Sequence, residues 1–283
     1  MTAQTITPEL RAWIVAQAQA GHGPEALLTS MRASGWEEDA ALQAMEVALS
    51  GFLADQHKAG GPPVPIAVPD IAQPGGLNLL DAGDRQVRVV MAMRNPRVVV
   101  VAGLLSDEEC DELVALAAPR MARSETVDVA TGGNEVNAAR TSRGMFFERG
   151  ENDVARKLEA RIARLLDWPV DHGEGLQVLH YGPGAEYRPH HDYFDPAQPG
   201  SVPILKRGGQ RVATVVTYLN TPTAGGGTTF PDVALEVAPL KGHAVFFSYD
   251  RPHPITRTLH GGAPVVEGEK WVATKWLRER VFK

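Results

Sequence analysis

Apolar residues in the first part of the chain recur at the three- and four-residue steps that place side chains on one face of a helix. Leu10, Ile14 and Ala18 follow Thr7-Pro8, a start signal with proline at the first helical position. Similar spacing recurs over 24–33 and 37–53, and glycine-containing turns separate the three stretches. The pattern predicts a small domain of three short helices.

The pattern changes after residue 78. Ser106 followed by Glu109 forms a capping box that predicts a helix start, and 151–166 has a second amphipathic helical pattern. Short β-type segments are predicted at 85–93, 97–101, 176–181, 211–219, 233–237, 243–249 and 271–276. Helices early and strands late predict a mainly β fold with supporting helices, namely a double-stranded β-helix (a jelly-roll, cupin-like barrel) with helices on its outer face. The barrel mouth is the expected site for a metal and ligands.

A proline- and glycine-rich segment separates the two patterns. Residues 59–76 contain five prolines and four glycines, a composition that predicts a semi-rigid, extended linker. The chain is therefore divided into a helical domain at 1–57, a linker at 58–78 and a larger domain at 79–283. Because few contacts are expected to cross the linker, a chain that begins near Gly76 is expected to perform the chemistry of the larger domain without the helices.

Composition narrows the classes of function. With 43% hydrophobic and 22% charged residues, the chain has an ordinary globular composition. Its net charge of −6 provides no general attraction to nucleic acid, so no such partner is expected. Cys110 is the only cysteine, which excludes an intramolecular disulfide and favours a reducing compartment. No apolar run approaches about 18 residues and no signal-peptide pattern opens the chain, so we expect a cytoplasmic protein without a membrane span.

His190, Asp192 and His260 are the candidate metal ligands. His190 and Asp192 are two residues apart, a spacing that directs both side chains to one face of a β-strand. With one distant histidine they supply two imidazole nitrogens and one carboxylate oxygen, which is the set that holds non-haem Fe(II) and leaves positions open for O₂ and a co-substrate. His260 begins a strand-like segment, whereas His253, the alternative third ligand, lies between two prolines.

Lys270 is the candidate anchor for that co-substrate. A buried lysine near such an iron needs an anionic partner. The distal carboxylate of a 2-oxo diacid would provide one. Lys275, five residues further on, is the alternative.

The segment from about Val98 to Lys283 contains several linked motifs. They are Leu-Gln-Val-Leu-His-Tyr at 176–181, Tyr-x-Pro-His-x-Asp-Tyr-Phe at 187–194, Gly-Gly-Gln-Arg-Val-Ala-Thr at 208–214, Gly-Gly-Gly-Thr-Thr-Phe-Pro at 225–231 and the stretch 260–276. In this order they resemble the catalytic domain of the Fe(II)/2-oxoglutarate-dependent prolyl 4-hydroxylases, in the collagen-type and bacterial-algal branch. The resemblance implies a dioxygenase that uses Fe(II), 2-oxoglutarate and O₂, with ascorbate as a candidate reductant. It implies hydroxylation of proline, at C4, in a peptide or protein.

The same resemblance implies roles for individual residues. Lys270, Thr228 and Tyr181 would hold 2-oxoglutarate; Arg140, Ser142 and Arg211 would contact the peptide; Tyr187 would lie over the target proline; and Phe146 or Phe147 would replace a tryptophan of the peptide groove. For Arg140 and Arg211 a structural ion pair is the alternative. Two polar segments, 122–139 and 196–208, are predicted to close over the substrate.

The three N-terminal helices resemble ubiquitin-associated-like domains, so they are candidates for binding a protein partner or for self-association. A stabilising appendage is the alternative. For the whole chain, three other functions stay open. They are a hydroxylase of free proline or another small molecule, a metal-binding jelly roll without turnover, and a protein-binding module that carries an oxygenase-fold domain.

Overall fold

The computed structural model describes residues 6–20, 22–58, 61–72, 76–123, 126–127, 134–135 and 141–283. The chain forms two compact units, Met1–Val64 and Pro65–Lys283. The division falls inside the segment predicted as a linker. Within the described ranges, no helix combines the length and apolar character needed to cross a membrane.

The first unit contains helices α1 (Pro8–Gln19), α2 (Pro24–Ala33) and α3 (Glu38–Lys58). The Thr7 hydroxyl accepts a hydrogen bond from the Leu10 N–H at 3.3 Å, which caps the start of α1. The buried apolar side chains form one cluster, made of Ile14, Leu27, Met31, Ala41, Ala44, Met45 and Ala48. The three predicted helices are confirmed, and α3 continues past its predicted end.

The helices of the second unit are α4 (Asp107–Ala117), α5 (Asp153–Leu166) and α6 (Ser201–Lys206). The predicted capping box starts α4, because the Ser106 hydroxyl accepts from the Glu109 N–H at 3.2 Å and the Glu109 carboxylate accepts from the Ser106 N–H at 2.9 Å. Asn152 caps α5 in a similar way by accepting from the Ala155 N–H at 2.8 Å.

Two antiparallel sheets make the body of the second unit. The strands are β1 (Leu79–Asp81), β2 (Gln86–Met93), β3 (Arg97–Ala102), β4 (Ala122–Arg123), β5 (Thr126–Val127), β6 (Asn134–Glu135), β7 (Arg143–Phe147), β8 (Leu176–Tyr181), β9 (Tyr187–His190), β10 (Arg211–Tyr218), β11 (Ala224–Gly225), β12 (Thr228–Phe230), β13 (Leu235–Val237), β14 (Ala244–Ser248), β15 (His260–Gly262), β16 (Val265–Glu267) and β17 (Lys270–Arg278). The large sheet has the order β1-β2-β3-β14-β10-β17-β8-β7-β4, and the small sheet has the order β13-β12-β15-β9. The strands β11 and β16, and β5 and β6, form separate pairs.

Alternation along the central strands of the large sheet gives it two apolar faces. On β14, Val245 and Phe247 pack in the inner cluster with Phe230 of the small sheet. Ala244 and Phe246 point the other way, into the outer cluster that also contains side chains of α4 and α5. The result is a double-stranded β-helix with helices on its outer face, as the sequence pattern predicts.

The C-terminal part of the predicted linker packs on the second unit. The Ile66 N–H donates to the Asp250 carbonyl at 2.8 Å. The Arg97 guanidinium donates to the Asp70 carboxylate at 2.6 Å and to the Ile71 carbonyl at 2.8 Å. The Ile71 side chain is only 3% exposed, within the outer apolar cluster. A chain that begins near Gly76 would lack these contacts, so we expect it to be less stable than a chain that begins at Pro65.

We expect a chain that begins at Pro65 to unfold at the same temperature as the second unit of the full protein. A chain that begins at Gly76 loses Ile71, and deletion of a buried isoleucine side chain costs about 2–5 kcal/mol. For a domain of this size, its Tm should fall by roughly 5–15 °C. Thermal unfolding followed by circular dichroism measures both. As a control, Ile71→Ala in the full chain should show most of the same decrease, and equal Tm values for both truncations would contradict the prediction.

Candidate functional site

The three candidate metal ligands converge between the two sheets. His190 ends β9 and His260 begins β15, and the two residues pair across the small sheet. Asp192 lies two residues beyond the end of β9, so it reaches the site from a turn rather than from the strand itself. Nε2 of His190 lies 3.6 Å from Oδ1 of Asp192, and Nε2 of His260 lies 3.4 Å from Oδ2. The three donor atoms lie within 4.8 Å of one another, which is the separation that ligands of one metal ion require.

Both histidines are held in the tautomer that a metal needs. Nδ1 of His190 lies 2.9 Å from the Arg188 carbonyl, and Nδ1 of His260 lies 3.0 Å from the Thr258 carbonyl. A carbonyl can only accept a hydrogen bond, so each Nδ1 carries the hydrogen. The lone pair is then on Nε2, which faces Asp192. Two neutral imidazoles and one carboxylate on one side of a pocket fit Fe(II).

Electrostatics favours the protonation states of a ligand set. Burial lowers the pKa of His190, and His260 beside it lowers this pKa further. Burial acts to raise the pKa of Asp192, but the two histidines beside the carboxylate outweigh burial and hold this pKa well below its usual value. At neutral pH the site therefore presents an ionised carboxylate beside an uncharged His190.

Two hydroxyl groups orient Asp192, and the sequence did not indicate either of them. The Thr214 hydroxyl donates to Oδ2 of Asp192 at 2.7 Å and lies 3.0 Å from the Tyr249 hydroxyl. Because an ionised carboxylate only accepts, the hydrogen of Thr214 is committed to Asp192, and Tyr249 must donate to Thr214. The turn is also fixed by Gln210, whose side-chain amide bonds the N–H and carbonyl of Phe194, both at 2.7 Å.

Thr214→Val should weaken metal binding about 10–100-fold, since loss of a group that orients a ligand typically costs that much. The change preserves the shape of a fully buried side chain but removes the donor to Asp192. Thr214→Ser keeps the hydroxyl and should retain most of the affinity. Anaerobic titration of the metal-free protein with Fe(II) measures both variants. Equal affinities for valine and serine would show that Thr214 does not orient the ligand.

His253 does not join this cluster. It caps a short 3₁₀ helix, Pro254–Thr256, where its Nδ1 accepts a hydrogen bond from the Ile255 N–H at 3.1 Å. His260, by contrast, is 5% exposed and faces the two other ligands. The geometry favours His260 as the third ligand.

Lys270 lies in the pocket beside the ligand cluster. Its side chain is 4% exposed, and it lines the pocket together with His190, Asp192 and His260. Its Nζ lies 5.3 Å from the centre of the Tyr181 ring and 6.0 Å from that of Tyr218. Among the described residues no carboxylate lies within salt-bridge distance, and burial lowers the pKa of Lys270 to about 8. A buried cation of this kind is suited to an anionic ligand.

Lys275 lies on the opposite face of β17, as an odd spacing along a strand dictates. Its Nζ lies 2.5 Å from the Glu159 carboxylate of α5 and also donates to the Glu174 carbonyl. This lysine is already paired in the core between the sheet and the helices. The geometry therefore favours Lys270 over Lys275 as the anchor.

The two other predicted co-substrate residues surround Lys270. Tyr181 pairs directly with Lys270 across β8 and β17, and Thr228 lines the same pocket from β12. The Tyr218 hydroxyl donates to the Thr228 hydroxyl at 2.8 Å, which leaves the hydrogen of Thr228 for an acceptor in the pocket. Tyr218 was missed in the sequence, although its alternation with Thr214 on β10 places it on the inner face.

Aromatic side chains also line the pocket. The Tyr187 ring stacks on the His190 ring with centroids 3.8 Å apart. Trp276 lines the pocket, and its ring centre lies 6.5 Å from that of Phe146, which is 49% exposed. Phe147 points into the outer core and is 2% exposed. Of the two phenylalanines proposed for the groove, Phe146 is therefore the one beside the pocket.

The three predicted peptide-binding residues differ in what the structure shows of them. Arg211 forms a two-point ion pair with Glu174, at 2.7 and 2.9 Å, and its guanidinium lies 3.9 Å from the Trp276 ring centre. The ion pair was the alternative for this residue, and a contact with peptide stays a prediction. Ser142 is buried before β7, and Arg140 lies outside the described residues.

The two segments predicted to close over the site also differ. Of 122–139, only Ala122–Arg123, Thr126–Val127 and Asn134–Glu135 are among the described residues, in β4, β5 and β6. The second segment, 196–208, contains α6. It contacts the C-terminus, where the Arg207 guanidinium donates to the Lys283 carbonyl at 3.0 Å and lies 4.7 Å from the Phe282 ring centre. Closure of either segment stays a prediction.

The chain is similar in sequence to known proteins. A family model described as the 2OG-Fe(II) oxygenase superfamily matches residues 176–278. Prolyl 4-hydroxylase 5 of Arabidopsis thaliana is 41% identical over 223 residues, which cover 71% of this chain and 74% of that protein. The probable prolyl 4-hydroxylase 3 of the same plant is 40% identical over 210 residues, which cover 66% and 71%. Among solved structures, the viral collagen prolyl hydroxylase of Paramecium bursaria Chlorella virus 1, in a 2-oxoglutarate complex, is 30% identical, covers 64% of this chain and 94% of that chain, and has a TM-score of 0.49.

Proposed function

Since the chain belongs to the prolyl 4-hydroxylase family of 2-oxoglutarate- and Fe(II)-dependent oxygenases, we propose that it hydroxylates a prolyl residue, at C4, in a peptide or protein. The observation that carries the proposal is the pairing of two features in one pocket. His190, Asp192 and His260 form an Fe(II) ligand set, and Lys270 is a buried cation beside it. A metal-binding jelly roll without turnover would have no use for that cation.

The residues of the pocket divide the work between co-substrate and prolyl substrate. Lys270, with the hydroxyl groups of Thr228 and Tyr181, would hold the distal carboxylate of 2-oxoglutarate and so direct its keto acid end toward the ligand cluster. When bound, Fe(II) with 2-oxoglutarate and O₂ supplies the oxidation of a C–H bond. The protein holds the substrate in position and excludes water from the pocket, whose inner wall is apolar.

The aromatic walls of the pocket suit a proline ring. Tyr187 on the His190 ring and Trp276 beside Phe146 give the pocket apolar walls. A prolyl ring presents C–H bonds to such walls and carries no charge that would need a partner. A free amino acid would bring an ammonium and a carboxylate into the same space, and burial of unpaired charges is costly. This difference favours a prolyl residue within a chain over free proline.

The proposal is tested with the full protein under Fe(II), O₂ and 2-oxoglutarate. We expect succinate formation to increase with proline-containing peptides, and mass spectrometry to find one added oxygen on a proline of those peptides. Fragmentation against synthetic 4-hydroxyproline and 3-hydroxyproline standards distinguishes the two positions. Oxygen on free L-proline, with none on any peptide, would promote the small-molecule alternative.

For the first unit, we propose that Met1–Val64 binds a protein partner or a second copy of itself. The support is that Trp13, Leu42 and Val47 are 38%, 46% and 38% exposed, although other apolar residues of the same helices are buried. A chain that begins at Pro65 should then turn over short peptides as the full protein does. Light scattering of both chains at several concentrations tests self-association.

A further inference from the structure

Residues 61–72, here called the tether, form a proline-rich segment outside any helix or strand. Its first prolines are Pro62, Pro63 and Pro65. Pro65 is exposed, and the side chains on either side of it, Val64 and Ile66, are 46% and 37% exposed. A spacer between two folded units needs no apolar side chains, and glycine or serine would cost less in water. The composition and exposure of this stretch are those of a peptide ligand.

The tether resembles, in its chemistry, the substrate of the proposed reaction. Prolines restrict the backbone to an extended or polyproline form, which is ready for docking without further ordering. An extended peptide with an exposed proline, such as Pro65, is also what a prolyl hydroxylase pocket would accept. A later proline of the same segment, Pro69, is buried beside Ile71 and provides a natural contrast.

The part of the tether that belongs to the second unit, residues 65–72, is bonded outside the pocket of the same chain. Ile66 is bonded to Asp250, and Asp70 to Arg97, and both partners line a cavity separate from the one formed by the metal ligands and Lys270. Release of the Ile66 hydrogen bond and of the interaction that Pro63 makes would free residues 62–65, while Asp70 and Ile71 keep the segment attached. The freed stretch could then enter the pocket of another molecule.

We infer that Pro62–Pro65 is a hydroxylation site for a second copy of this chain. The inference rests on the proposed function. In the reaction one prolyl C–H bond becomes C–OH with one atom of O₂. The other oxygen atom enters succinate as 2-oxoglutarate loses CO₂, so atoms and electrons balance without a further reductant.

The test mixes unlabelled wild-type protein with a ¹⁵N-labelled full chain that carries Lys270→Ala, under Fe(II), O₂ and 2-oxoglutarate. The labelled chain cannot use 2-oxoglutarate efficiently, so any oxygen it gains comes from another molecule. A protease that cleaves after Lys and Arg releases residues 59–85, which contain no Met, Trp, Cys, Tyr or His that would be oxidised by other routes. We expect one added oxygen on Pro62, Pro63 or Pro65 of the labelled peptide, none on Pro69, and none without 2-oxoglutarate.

Two further samples serve as controls. A ¹⁵N-labelled wild-type chain replaces the Lys270 variant in case that variant does not fold. A labelled chain with Pro62, Pro63 and Pro65 all changed to alanine should gain no oxygen in this peptide. Added oxygen in this triple variant, or oxygen on Pro69 alone, would overturn the inference.

The remaining outcomes separate the inference from the proposed function. If synthetic proline peptides gain oxygen and the tether gains none, the inference is wrong and the proposed function stands. If neither gains oxygen, the proposed function itself is wrong. If wild-type chains are modified at a rate independent of concentration while the labelled Lys270 variant stays unmodified, the reaction occurs within one chain and the second-copy inference is wrong.

Discussion

His260→Ala is expected to abolish turnover and stoichiometric Fe(II) binding. The change removes one of three ligands whose donor atoms lie within 4.8 Å of one another. It also leaves Asp192 without one of the histidines that keep its pKa low, so a buried carboxylate loses a partner. His190→Ala should have the same effect on metal and turnover. Anaerobic Fe(II) titration and succinate formation measure the two losses independently.

His253→Ala is the matched control for this prediction. His253 lies only seven positions before His260 and is of the same residue type, but its ring caps the 3₁₀ helix. Its removal should cost about 0.5–2 kcal/mol of stability as a lost cap and leave metal binding unchanged. Full activity in His260→Ala, with loss of iron in His253→Ala, would mean that the distal ligand is misassigned.

The metal ligands could be predicted from the sequence because the spacing between residues along the chain determines much of their geometry. His190 ends a strand, and Asp192 follows in the turn two residues later, close enough for both side chains to reach one metal ion. Lys270 and Lys275 are five positions apart on β17, so the alternation of the strand directs them to opposite faces. Once β17 is known to be a strand with an inner and an outer face, only one of the two lysines can face the pocket.

Contacts between segments that are distant in the sequence could not be predicted from spacing. Thr214 bonds Asp192 across 22 positions, and Tyr249 bonds Thr214 across 35. A threonine and a tyrosine in strands have many possible partners, and no spacing rule selects among them. Arg211 illustrates the same limit, because its pairing with Glu174 depends on the register of β10 against β17 and on the turn before β8.

Composition averaged over 18 positions predicted the extended backbone of the linker but not its contacts with the second unit. Its prolines and glycines do exclude helix and strand, as expected. Individual residues nevertheless bind the second unit: Ile71 fills an apolar position under the sheet, and Asp70 neutralises Arg97. Burial of one apolar side chain and one hydrogen-bonded ion pair needs no regular secondary structure.

Lys270→Met should raise the Kd for 2-oxoglutarate on the order of a hundredfold or more, because it removes one partner of a buried charge pair, which typically costs ~3–5 kcal/mol. The same substitution is not expected to destabilise the protein in the absence of 2-oxoglutarate. Lys270 has no carboxylate partner among the described residues and its pKa is lowered by burial, so an apolar side chain of similar size should maintain or increase Tm. Calorimetric titration and thermal unfolding measure the two effects on the same sample.

Lys275→Met is the matched control on the same strand. It leaves the Glu159 carboxylate unpaired in the core, so it should lower stability by ~3–5 kcal/mol and leave the Kd for 2-oxoglutarate unchanged. A large rise of this Kd in Lys275→Met, with none in Lys270→Met, would show that the anchor has been assigned to the wrong lysine.

The pH dependence of 2-oxoglutarate binding follows from the same lysine. In the free protein Lys270 has a pKa of about 8, and only its protonated form pairs with a carboxylate. Bound 2-oxoglutarate stabilises the ammonium, so the pKa rises in the complex and binding takes up a proton above pH 8. Affinity should therefore be constant below about pH 7, where Lys270 is already charged, and fall by up to tenfold per pH unit above pH 8. Lys270→Met should lose this dependence, and an unchanged slope in that variant would assign the titration to another group.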